Sequence, residues 1–68
     1  MTLTEFRSLA AAAFGDYRAE HIVSSHHLSA FGGRTAADAL DSGASVKRVW
    51  LALCDDFDVS DQHRDPER

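Results

Sequence analysis

From His26 to Leu40 the chain reads HHLSAFGGRTAADAL, and the fold depends on whether this span continues a helix, builds a site or turns a corner. Upstream of it, Ala19, Ile22, Val23 and His26 share one arc at about 100° per residue, with Ala30 near its edge. Leu28 and Phe31 fall well off that arc. A helix opened by Asp16 as its N-cap is therefore expected to run to about His27 and to stop or change direction at Leu28. Gly32 and Gly33 supply two residues free to take positive φ. Thr35 then stands where it can cap a short new helix, Ala36 to Asp41, with Asp38 at the reciprocal capping position. The span reads as a corner, and Arg34 is the residue in it that stays a candidate for binding.

Outward from the corner, both flanks show helical spacing. Towards the N-terminus, Leu3, Phe6, Leu9, Ala10, Ala13 and Phe14 share a face, which predicts a helix over about Thr4 to Phe14. Thr2 and Glu5 have capping-box spacing, and Gly15 is placed to end the helix. Towards the C-terminus, Gly43 punctuates the chain and Ser45 caps a helix from Val46 to about Phe57. That helix has the clearest apolar face of all: Val46, Val49, Trp50, Leu53, Cys54 and Phe57. No run of residues has the length and alternation of a strand. The expected fold is all-α, a compact bundle of four short helices with no sheet. It forms a single helical domain over 1–59. The remaining stretch, SDQHRDPER over 60–68, has no apolar anchor and is expected to be a disordered acidic and polar tail.

Composition narrows the function classes. The chain has 68 residues, of which 44% are apolar, and a net charge of −4 with neutral histidines. A domain this small buries only about 60% of the surface its unfolded form exposes. Cys54 is the sole cysteine, so no internal disulfide can staple the chain, which fits a reducing cytoplasm. The N-terminus lacks the basic segment and apolar core of a secretory signal, and no apolar run approaches the roughly 20 residues of a membrane span. A cytoplasmic location and no membrane association are expected. Net negative charge disfavours non-specific nucleic-acid binding, which needs cations on phosphates.

One set of residues carries a family resemblance: His26, Leu28, Ser29, Gly32 to Thr35, Ala39-Leu40, Gly43, Val49-Trp50, Leu53-Cys54 and Phe57 to Val59. With Leu3 to Phe6 and Phe14-Gly15 added, the match covers nearly the whole chain. On these residues the chain resembles a small actinobacterial family of unknown function, whose members are of about this length and are often encoded beside the RecA recombinase. The resemblance implies a helical fold and a cytoplasmic location, and no activity. Two departures stand out. The family often has Asp-Pro at Ser45-Val46 and Pro at Ser60; losing proline from the first turn implies a less firmly started fourth helix.

Candidate chemistry is sparse. His26, on an apolar arc, reads as a packed imidazole bonded to a backbone carbonyl, with a pH-sensitive role as the alternative. His21, His26, His27, Cys54 and His63 include no CxxC or HxxxH pair, so neither a metal nor any other cofactor is expected. Gly32-Gly33-Arg34-Thr35 lacks the lysine and the preceding strand of a phosphate loop. From Asp56 onward the chain imitates a calcium loop at Asp56, Asp58, Ser60 and Glu67, but has Asp61 where the sharp turn requires glycine. Serines beside His26 and His27 lack the converging base and acid of a triad, so no enzyme is expected. Lys47 and Arg48 stand at the start of the fourth helix and Asp55 and Asp56 near its end, opposite to the preference of the helix dipole.

These features leave two readings. The favoured one is a non-enzymatic cytoplasmic interaction or adaptor domain, binding another protein or a second copy of itself. Its surfaces would be an exposed apolar patch of Leu28, Phe31 and Leu51, all off their helices' main faces, and a basic spot of Arg34, Lys47 and Arg48. The alternative is a helix-turn-helix-like nucleic-acid-binding protein linked to recombination or repair, with Thr35 to Leu53 as the motif and the fourth helix entering the major groove.

Overall fold

Each helix begins where a short polar side chain or a glycine can satisfy or spare the first free N–H groups. In the computed structural model, which describes residues 1–59, α1 spans Leu3–Phe14. Its capping box is complete: Glu5 N–H donates to Thr2 Oγ1 at 3.1 Å, and the Glu5 carboxylate accepts from Thr2 N–H. α2 spans Asp16–Ser25 and follows after a single residue, so Gly15 both ends α1 and caps α2. Asp16 is thus the first residue of α2 and not its N-cap; its carboxylate favours the helix start through the dipole alone. α3 spans Ala36–Asp41, with Asp38 N–H donating to Thr35 Oγ1 at 3.1 Å. α4 spans Val46–Phe57 and is capped by Ser45 Oγ, which accepts from Arg48 N–H at 3.4 Å. It ends at Asp58 in the left-handed conformation, where Val59 N–H closes back on Cys54 O at 3.0 Å. The tail expected over 60–68 lies outside the described residues.

The expectation of no sheet is overturned. β1 (His27–Leu28) and β2 (Arg34–Thr35) pair antiparallel, His27 opposite Thr35 and Leu28 opposite Arg34. A 3-10 turn over Ser29–Phe31 and the two glycines at φ 68° and 85° reverse the chain between them. Helix α2 stops at Ser25 because His26 is already extended, at φ −78° and ψ 128°. Successive residues of an extended strand point to opposite sides: His27 is exposed and Leu28 wholly buried on β1, and Arg34 is exposed and Thr35 buried on β2. The His27 ring reinforces the hairpin: its Nδ1 lies 2.6 Å from Gly33 O. A carbonyl only accepts, so the proton of that imidazole sits on Nδ1.

The hairpin packs on α2, α3 and α4 and closes one side of the core. The largest fully buried side chains are Trp50, Phe6, Leu28, Leu53, Val49 and Cys54. Trp50 takes Phe6 edge-on, with centroids 5.8 Å apart and planes at 87°, and Phe14 at 6.4 Å. Phe14 continues the chain of rings to Phe57 at 5.4 Å. The stripes of α1, α2 and α4 therefore meet as their spacing predicts. The short α3 adds Ala36 and Ala39, which are small enough to let it approach closely.

His26 does not bond a backbone carbonyl from mid-helix. As the C-cap of α2 it turns to α4, where its Nε2 donates to Asp56 Oδ2 at 2.8 Å and its ring packs on Phe57 with centroids 4.5 Å apart. The pair ties the end of α2 to the end of α4. Its side chains are 32% and 23% exposed, so water screens the interaction. In a double-mutant cycle of His26→Ala and Asp56→Ala, followed by chemical denaturation, we expect a coupling of about 0.5–1 kcal/mol. A coupling above about 2 kcal/mol would show a latch far stronger than this exposure allows.

Candidate interaction surface

A concave feature among the described residues follows from alanine placement. On α1, Leu3, Phe6, Arg7, Ala10 and Ala11 recur at i, i+3, i+4, i+7 and i+8 and share one face. That face looks across to Ala19 and Val23 of α2 and to Ala37 and Leu40 of α3. Alanines from all three helices line the surface here, which sinks into an open groove of about 980 Å³. Phe6, Ala10 and Ala19 form its buried floor.

The lip of the groove is unlike its floor. Tyr17 is 91% exposed and Leu3 44% exposed, two large apolar side chains left in water on the same feature. Around them stand Arg7, Asp16, Glu20 and Asp41, all exposed. Among the described residues no ion pair joins any of these four to a partner. Asp41 is the last residue of α3, where the helix dipole disfavours a carboxylate, and no basic residue stands in that last turn to offset it.

The residues singled out by sequence are distributed differently. The apolar patch of Leu28, Phe31 and Leu51 does not exist in the expected form. Leu28 is a core residue, because the hairpin turns it inward. Phe31 is half-buried against the core. Leu51 is half-buried on the outer strip of α4, between Lys47 and Asp55. The basic residues remain at the surface. Arg34 donates from its guanidinium to Ser42 Oγ at 3.3 Å, which tethers it to the turn leading into α4. Lys47 and Arg48 are exposed in the first turn of α4. His26 is held by Asp56, as described above.

Sequence reasoning passed over the groove and its lip. The available signal was Tyr17, an aromatic lying roughly 200° from Ala19 at 100° per residue and so outside the apolar arc of its helix. The concavity itself left no signal, because it arises where three helices meet. Among the described residues, no three His, Cys, Asp or Glu side chains converge as metal ligands would. No helix among them is long and apolar enough to cross a membrane.

Fold and surface together define a small, mainly helical domain, braced by a short hairpin and carrying an open groove between three of its helices. The chain belongs to the family described as protein of unknown function (DUF3046), which matches residues 1–62. It is also similar to a putative envelope-preserving system protein of Mycobacterium tuberculosis (strain ATCC 25618 / H37Rv), with 50% identity over 34 residues. That alignment covers 50% of this chain and 12% of the relative, so the chain spans only a small part of the relative's length. The mycobacterial source agrees with the actinobacterial character of the resemblance. No solved structure matches the chain.

Proposed function

We propose that this chain is a non-enzymatic protein-interaction domain acting in the cytoplasm, and that it docks partners through the groove between α1, α2 and α3. One observation carries the reading: Tyr17 and Leu3 stand exposed at the lip of a concave surface whose floor is apolar. Exposed large apolar groups that adjoin a cavity gain from being covered, and tyrosine is enriched in protein interfaces.

A second reading has one feature in its favour. α3, the turn from Ser42 to Ser45 and α4 follow the order of a helix-turn-helix, and Lys47 and Arg48 are exposed at the start of the second helix. Two features weigh against it. Five of the twelve residues of α4 are buried in the core, and its exposed side runs from those cations into Asp55 and Asp56.

One experiment separates the readings. A photo-crosslinking amino acid is placed at position 17 and, in a second variant, at position 48, and both are irradiated in the native cells. We expect discrete protein adducts from position 17 and none from position 48. Nuclease-sensitive adducts from position 48, with none from position 17, would favour the second reading.

A further inference from the structure

We propose that the occupant of the groove is an amphipathic helix with a basic flank, supplied by a different protein. The inference rests on the docking role proposed above and adds the chemistry of the partner. Charge is the first argument. Of the charged side chains around the groove, Asp16, Glu20 and Asp41 are acidic and Arg7 is basic, with the imidazole of His21 beside them, and among the described residues none of the four charged groups is ion-paired. Asp41 in particular stands where its own helix dipole opposes it, a cost that a cation from outside would remove.

Size and shape are the second argument. A helix about 10 Å across that rises 1.5 Å per residue fills roughly 120 Å³ per residue. The groove's volume of about 980 Å³ therefore corresponds to roughly eight residues, a little over two turns. Two turns present three or four apolar anchors at i, i+3, i+4 and i+7, the usual way a helix is read by a groove. Tyr17 and Leu3 at the lip would cover the outer anchors.

Among the described residues, the outer strip of α4 does not supply such a helix. Its cations Lys47 and Arg48 flank only Leu51 on the outer strip of α4, and Asp55 follows one turn later. That strip has one half-buried apolar anchor where the groove has room for three or four.

The test uses the full chain and three synthetic 14-residue peptides. The first has leucines at i, i+3, i+4 and i+7 with lysines on the flanks. The second has glutamates in place of those lysines, and the third has the first one's composition in an order without an apolar face. Binding is followed by titration calorimetry, and the site by amide chemical shifts. We expect the lysine peptide to bind, with shifts confined to α1, α2 and α3. The glutamate and reordered peptides should bind at least tenfold more weakly. Glu20→Lys with Asp41→Lys should invert the preference between the lysine and glutamate peptides. Both side chains are exposed, so these changes leave the core intact. Equal binding of the three peptides, shifts on the hairpin or α4, or no binding would each overturn the proposal. So would self-association of the peptide-free chain that Tyr17→Ala abolishes, because a second copy would then be the occupant. If position 17 crosslinks a protein in cells while the lysine peptide fails to bind, the docking role stands and the basic helix does not.

Discussion

Replacing Trp50 with alanine is expected to leave the chain without a cooperative unfolding transition. Trp50 is fully buried on α4 and is the ring against which Phe6 and Phe14 pack edge-on. Truncating a buried tryptophan costs about 3–5 kcal/mol, from lost transfer energy and from the cavity left behind. The two aromatic contacts add about 0.5–1.5 kcal/mol each beyond the area they bury. A domain of this length has a total stability of roughly 3–10 kcal/mol. The loss therefore takes most or all of what holds the fold. No disulfide is available to limit the damage, since Cys54 is the sole cysteine. Far-UV circular dichroism during a thermal scan is the check. Trp50→Phe, which keeps a ring in the cavity, should still melt cooperatively at a lower temperature. A sharp transition for Trp50→Ala within a few degrees of the parent would mean that the core is not centred on this residue.

Gly15→Ala should produce the second-largest loss, through the backbone alone. Gly15 is the single residue between α1 and α2, at φ 89° and ψ 154°. That region is essentially closed to residues with a Cβ, and holding one there costs about 1–3 kcal/mol. A Cβ at this position would meet no atom within 4 Å, so crowding adds nothing and strain is the whole effect. Alanine recovers some of the loss by reducing the freedom of the unfolded chain, by about 0.4–1 kcal/mol. The expected net is a fall of roughly 5–15 °C in Tm, on the scale of about 4–8 °C per kcal/mol for a domain this small. Gly32→Asn is the matched control. Gly32 sits at φ 68° and ψ 28°, in the left-handed region that asparagine tolerates, and should change Tm by only a few degrees. Equal losses at the two positions would show that the α1–α2 corner is not the strained one.

These predictions touch parts of the fold that differ in how openly they are written. Helices α1, α3 and α4 were legible because each follows a recognisable capping residue, whereas α2 was legible from its apolar spacing alone, its expected cap Asp16 being its first residue. Ser45 and the face from Val46 to Phe57 located α4 to the residue, and Thr35 did the same for α3. The hairpin was not legible. Its strands are two residues each, below the length at which alternation can be distinguished from chance. Leu28 was misplaced for that reason: its departure from the helical arc marked the end of a helix, but two extended residues could not reveal which way it turned.

Local order, then, was present in the chain itself: caps, apolar stripes, glycines where the backbone must take positive φ, and the absence of any disulfide. Those features act over one to four residues, so neighbours along the chain suffice to read them. Whether Leu28 is core or surface, whether His26 meets a carbonyl or Asp56 thirty positions away, and whether alanines on three helices leave a groove were settled only when distant segments packed together. Burial and concavity belong to pairs and triples of elements, and no single stretch of residues contains them.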